Sequence, residues 1–267
     1  DGGNAVPTGH FNSIIARRDE GMLAKQLGVR VIPGKGTTVN VPIDNEADGE
    51  FVATSEQVDA GTNTFDRDAP ALDKVAMTLV RYTKKIPLTD ELLNDEDSAL
   101  LAFISDFVGR GMAKTHNSLL MTAALAGGTA ALTFDSATAI AATEIPELYY
   151  KLADEYSDGN VAWVMQRATE GAIRGLQGNA FLFGAGGPND LWGAPVYNSA
   201  YAGSVTGGGK SLVLGNWSYV GMREAPSITF LRDPYTVEGA VVLKYYFRTV
   251  YKVLQSEAIV YGTHPTA

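Results

Sequence analysis

The chain has 267 residues, 45% of them hydrophobic, and a net charge of −9. That length and composition support a globular fold with a sizeable core and exclude a disordered chain. The absence of cysteine removes disulfides and thiolate metal sites; no apolar run reaches the roughly 18 residues of a membrane helix, and acidity without a basic stripe argues against tight nucleic-acid binding.

Residues 1–30 read as an extended arm with a short helix inside. Gly2, Gly3, Pro7 and Gly9 break structure, then Ile14, Ile15, Met22, Leu23 and Leu27 recur at near-helical spacing. Val29 to Pro42 reads as strand, interrupted by the turn Pro33-Gly34-Lys35-Gly36. Val39, Val41 and Ile43 alternate with polar neighbours, and Pro42, which cannot donate to a ladder, suggests an edge. A return strand over Lys74 to Thr83 alternates Val75, Met77 and Leu79. Together the two strands form a long hairpin.

Between these strands the charge is concentrated. From Asp44 to Asp68 there are eight acids and one base, Arg67, so this stretch carries −7 and leaves −2 for the rest of the chain. Asp44, Glu46, Asp48, Glu50, Glu56 and Asp59 are candidate contacts to a basic surface on a second copy. The alternative is a loop kept soluble by its charge. An excursion of this length cannot bury itself within its own subunit, so the chain reads as a building block before it reads as a catalyst.

Thr89 is a candidate N-cap for a short helix, its hydroxyl able to satisfy an orphan amide. A long helix is expected over about 97–126, with Leu100, Ile104, Phe107, Val108, Met112, Leu119 and Ala123 on one stripe. Gly109 and Gly111 inside it each cost about 1 kcal/mol relative to alanine, so they mark either close packing or a bend. Helices follow over Glu144 to Tyr156 and Thr169 to Leu176. Strands are expected over Val161 to Met165, from Leu191 to Tyr197, and over Ser211 to Leu214, Ile228 to Leu231, Val241 to Val253 and Glu257 to Tyr261. This order is α+β rather than regularly alternating. Gly184, Gly186, Gly187, Pro188, Asn189 and Asp190 form a flexible loop. On the long last-but-one strand, Lys244, Arg248 and Lys252 share one face. Its aromatics, Tyr245 to Tyr251, are either a stacking platform for bases or part of a buried sheet with a basic outer face, the reading preferred.

No catalytic constellation emerges. Ser204 to Ser211 imitates a phosphate loop, but its first position is serine and it leads into a strand, where a helix N-terminus is required. His10, His116 and His264 have no partner at metal-pair spacing, and His116 is expected on a helix surface or at an interface. There is no Gly-x-Ser-x-Gly elbow, and the acidic segment lacks the spacing of a calcium loop. No catalytic residue, metal or cofactor is therefore expected.

The order of parts resembles the major capsid proteins of tailed double-stranded-DNA bacteriophages, a fold shared with encapsulin shells. The resemblance rests on Ile86-Pro87-Leu88-Thr89-Asp90-Glu91-Leu92-Leu93-Asn94-Asp95 before the long helix and Val161-Ala162-Trp163-Val164-Met165 before a shorter one. Leu191-Trp192-Gly193-Ala194-Pro195-Val196, Leu214-Gly215-Asn216-Trp217 and the ending Arg248 to Ala258 follow in the expected order. It implies an N-terminal arm (1–30) and an extended loop (31–85). It also implies a peripheral domain (86–140 and 228–255) built on the spine helix, and an axial domain (141–227 and 256–267) whose loop 184–190 points at the capsomer axis. It further implies pentamers and hexamers in an icosahedral shell around double-stranded DNA, touched only weakly, with portal and possible decoration or scaffolding proteins as partners and no membrane. Removal of a scaffolding segment would explain a first residue Asp1. The acidic loop would lie over a neighbour, with Lys84, Lys85, Lys244, Arg248 and Lys252 as counter-charges. An encapsulin-type cargo shell is one alternative, and an unidentified hydrolase, for which no catalytic set is found, is the other. Some members of the family lock their shells by a lysine–asparagine isopeptide bond. Here the stretch from Asp44 to Asp73 has no lysine and the strand over 237–253 no asparagine, so no such bond is expected.

Overall fold

The computed structural model describes residues 8–44, 72–89, 97–176, 190–237 and 240–266. Its architecture is α+β, as the sequence indicates: a five-stranded sheet, a six-stranded sheet and a two-stranded ribbon, tied together by one long helix.

The chain enters through α1 (Thr8–Gly21) and α2 (Leu23–Gln26). These helices are docked, not free: Ile14 and Met22 are completely buried, and Leu23, Ala24 and Leu27 nearly so. Strand β1 (Arg30–Val31) then pairs in parallel with β10 (Val220–Glu224), a strand that sequence reading did not anticipate. The ribbon pairs β2 (Thr38–Asp44) with β3 (Leu72–Thr78), Thr38 opposite Thr78 and Pro42 opposite Lys74. The expected return strand is in fact two. The chain breaks at Leu79, and β4 (Val80–Thr89) leaves the ribbon to run antiparallel along β12 (Ala240–Val253). Thr89 is accordingly the last residue of a strand, opposite Ala240, rather than a helix cap.

The spine helix, α3, spans Asp97–Gly127, about 45 Å at about 1.5 Å per residue. Ile104, Val108 and Met112 pack on the sheet residues Val241, Leu243, Tyr245 and Phe247. Farther along, Leu120, Met121 and Ala124 join α2 and one face of the six-stranded sheet. Gly109 is explained by close packing. A Cβ there would come within 2.9 Å of Arg17 Cβ and 3.0 Å of the Ile14 carbonyl oxygen, so α1 crosses α3 at that point.

In the five-stranded sheet, β12 is the central strand. β10 and β11 (Thr229–Val237) follow one another along one edge, and β4 occupies the other. The six-stranded sheet has the order β5 (Thr129–Thr133), β13 (Ile259–Thr263), β9 (Leu212–Asn216), β6 (Val161–Met165), β8 (Ala194–Asn198), β7 (Asp190–Leu191). It is covered on both sides. Ala162, Val164 and Val213 face the spine helix; Trp163, Met165 and Leu214 face α4 (Glu144–Tyr149) and α5 (Arg167–Arg174). Trp192 (φ 53°) and Gly193 (φ 81°) both adopt left-handed backbone between β7 and β8, the requirement of a two-residue hairpin turn matched to strand twist. The imitation phosphate loop has a different use. Lys210 Nζ donates to the Leu125 carbonyl at 2.9 Å, satisfying an orphan acceptor at the end of the spine helix.

Candidate assembly interface

The ribbon is held at its base by one side chain. Arg223, on β10, is 2% exposed. Its Nη1 donates to the carbonyls of Thr37 (2.9 Å) and Met77 (3.1 Å), and its Nη2 to that of Gly36 (2.5 Å). The guanidinium thus grips both strands of the ribbon where they leave the body. Beside it Ile32, Met77 and Leu254 form a small apolar cluster, with Val41, Ile43, Val75 and Val250 against it. The ribbon pairs with no other strand among the described residues.

A second junction fixes the N-terminal helices. Arg18 Nη1 donates to Glu224 Oε1 at 2.6 Å, and Arg18 also binds Asp19, which in turn meets Lys25. Burial pushes the Glu224 carboxyl above its ordinary range, against the pull of Arg18. His116, fully buried, forms a 2.8 Å hydrogen bond through Nδ1 with the Tyr251 hydroxyl and stacks on Phe247. Its Nε2 has no hydrogen-bond partner among the described residues and lies 3.8 Å from Glu224. Burial, assisted by Arg18, lowers its pKa to about 4, so it is neutral at pH 7. The expected surface position of His116 is therefore corrected: the apolar stripe of α3 continues through it into the core. Tyr245, Phe247 and Tyr251 are buried as well. They form no stacking platform, and the buried-sheet reading of β12 holds.

The five anticipated counter-charges divide by strand face. Lys84 is on the helix side of β4, its Nζ 3.7 Å from the centroid of the Phe107 ring. Burial against that side and the neighbouring Lys114 depress its pKa. Lys85 is on the opposite face, across from Lys244. Lys244 is already paired with Asp233, whose pKa is held far below the usual carboxylate range by that contact and by Thr236. Arg248 and Lys252 are exposed on the same outer face. Directly opposite Arg248 stands Arg81, which sequence reading missed although Arg81, Thr83 and Lys85 repeat at the period of a strand face. Arg223 and Glu224 gave no signal, because two charges in a short strand hide its alternation.

Among the acidic candidates, Asp44 ends β2. Glu46, Asp48, Glu50, Glu56 and Asp59 lie outside the described residues, as do Gly184, Gly186, Gly187, Pro188 and Asn189. Asp190 is half-buried in β7, across from Pro195.

A spine helix laid over one sheet, a mixed sheet buried on both sides beyond it, and a ribbon clamped at its base together define a shell-subunit fold. The model of the phage capsid family matches residues 2–264, and the chain belongs to that family. No curated protein matches the sequence. Among solved structures, the fold is similar to the capsid of the native GTA particle, with 17% identity, TM-score 0.77, and coverage of 90% of this chain and 89% of that one. It is also similar to a chain of Microbacterium phage Oxtober96 (15%, 0.67, 91% of each chain) and to the virus-like particle from Pyrococcus furiosus (14%, 0.61, 94% and 96%).

Proposed function

We propose that this capsid protein is the major shell subunit of a tailed double-stranded-DNA phage, assembling as pentamers and hexamers into an icosahedral shell around the genome. The ribbon carries this reading. It is clamped to the body by Arg223, its edges are unpaired among the described residues, and it leads into residues 45–71, where the sequence has seven acids and one base. Such a segment suits a neighbour's surface. Many modest contacts of this kind, repeated around a closed shell, make the whole far more stable than any pair. Each exposed ion pair contributes only about 0–1 kcal/mol, so charge sets register while apolar burial supplies strength.

The net charge of −9 suits a wall that DNA must slide past during filling. No helix among the described residues is long and apolar enough to cross a membrane. Loop 184–190 is proposed to sit at the capsomer axis. A cargo-holding shell is the second reading, supported by the likeness to the Pyrococcus furiosus particle.

Negative-stain electron microscopy of the purified chain is expected to show closed particles of uniform diameter. A monomer that stays monodisperse at every concentration would overturn the proposal. Particles recovered from their native source should contain DNA; protein cargo in its place would favour the second reading.

A further inference from the structure

Lys84 turns toward the spine helix and meets no partner charge there. Its Nζ lies 3.7 Å from the centroid of the Phe107 ring. Glycine at position 111 makes room for it, since a Cβ there would come within 3.0 Å of that nitrogen. No carboxylate among the described residues is within ion-pair distance of Lys84, whereas Arg110 has Asp106 and Lys244 has Asp233. The charge that acts on it, from Lys114, is of like sign. The ammonium borders a cavity of about 230 Å³ between α3 and the five-stranded sheet. Val108 and Met112 of the helix, Tyr82, Tyr245 and Phe247 of the sheet, and Ile228 line it. Thr115 lines it too, but its hydroxyl is committed to the Gly111 carbonyl at 3.0 Å, which leaves Lys84 as the charged donor.

A mostly apolar cavity with one convergent charge selects an amphipathic ligand of opposite charge. The ammonium sets the head group, because a carboxylate accepts charge-assisted hydrogen bonds from it. The walls set the body. Tyr82, Tyr245 and Phe247 offer ring edges and faces that another ring can pack against in offset or edge-on geometry, and the volume suits a single ring. We propose that this cavity binds a one-ring aryl carboxylate, with its carboxylate on Lys84 Nζ and its ring among Tyr245, Phe247 and Met112. Such a ligand supplies the opposite charge that Lys84 lacks and offsets the repulsion from Lys114. It also fills a gap between helix and sheet where the lining atoms have no contacts to make. The alternation of β4 confines the site to one face: Lys85, the next residue, stands on the outer face and does not border the cavity. Lys84 then serves a ligand held within one subunit and leaves the set of counter-charges offered to a neighbour.

The probe is 4-azidobenzoate, photolysed with the full chain and mapped by peptide mass spectrometry. Label is expected within residues 82–84, 108–112 and 245–247, the segments that line the cavity. Label concentrated elsewhere, or spread without preference, overturns the proposal. Benzoate should suppress the label with half-effect at about 1 mM or below, within reach of a ligand of so few atoms. Benzyl alcohol has the same ring without the charge and should need about tenfold more or beyond. Equal suppression by the alcohol would reduce the site to partition of a ring and overturns the role given to Lys84. K84M is expected to lower the label by about tenfold or more, while K85M, on the outer face, leaves it at the wild-type level. Undiminished label in K84M overturns the proposal. If K84M does not fold, the comparison of benzoate with the alcohol decides alone. The label is read within single subunits, whether or not they form particles, so its outcome is independent of the shell reading.

Discussion

In the six-stranded sheet, β6 buries both of its faces: Ala162 and Val164 on one side, Trp163 and Met165 on the other. In the five-stranded sheet, β12 buries Tyr245, Phe247, Thr249 and Tyr251 toward the helix side but exposes Arg248 and Lys252 on the other. The strands are built alike. What differs is the number of layers packed on them. A sheet between two layers has no surface left for a neighbour, so its sequence is a continuous apolar run. A sheet with one layer alternates, and the face left over is where another molecule can be recognised. The doubly covered sheet is spent on the core, and the singly covered one leaves a charged face exposed.

The sharpest way to break this division is to hollow out the doubly covered sheet. Trp163 is fully buried and donates its indole N–H to the Leu191 carbonyl at 2.9 Å. Trp163→Ala should cost about 3–5 kcal/mol, read by chemical denaturation. A loss under about 1 kcal/mol would show that this sheet does not carry the fold.

At the junction of the two regions, His116 makes stability depend on pH. Unfolded, it takes up a proton near its ordinary 6.5; folded, it resists until about 4. The unfolded chain therefore binds more protons in this window, and stability is lost as pH falls from about 6.5 toward 4. Thermal melting should fall across that range by the equivalent of about 2–3 kcal/mol, and H116Q should flatten this part of the profile. An unchanged slope in H116Q would show that His116 does not set this part of the profile.

The smallest effect on global stability concerns the singly covered side. Arg223→Met removes the guanidinium that donates to the carbonyls of residues 36, 37 and 77, a loss of about 1–3 kcal/mol. Its signature is local. Hydrogen exchange should accelerate at the ribbon amides of residues 38–43 and 73–78 while β6 and β9 stay protected. Faster exchange throughout would deny Arg223 its role as a clamp.

Much of the fold was legible because its local signals are strong. The spine helix, β6 and β12 emerged nearly to the residue, since long apolar stripes and uninterrupted apolar strands have few other readings. The chain break at Leu79 was not legible. Val75, Met77 and Leu79 alternate without pause into β4, and only the competing partners β2 and β12 divide the run. Strand β10 was missed because Arg223 and Glu224 look like surface residues. Arg223 is buried because three carbonyls meet it there, and Glu224 half-buried because Arg18 does. Among the basic candidates, sequence found the stripe of β12 but could not see that Lys244 is occupied by Asp233, or that Arg81 stands against Arg248.

From the sequence alone follow the α+β class, the long helix, the acidic segment between two strands and the resemblance to capsid subunits. Each depends on periodicity or composition within a few tens of residues. The tertiary structure decided which charges are paired inside the subunit and which stay exposed on its surface. That question is settled by strand pairing and layer count, which bring together residues as distant as Arg81 and Arg248, and no local pattern encodes such a meeting.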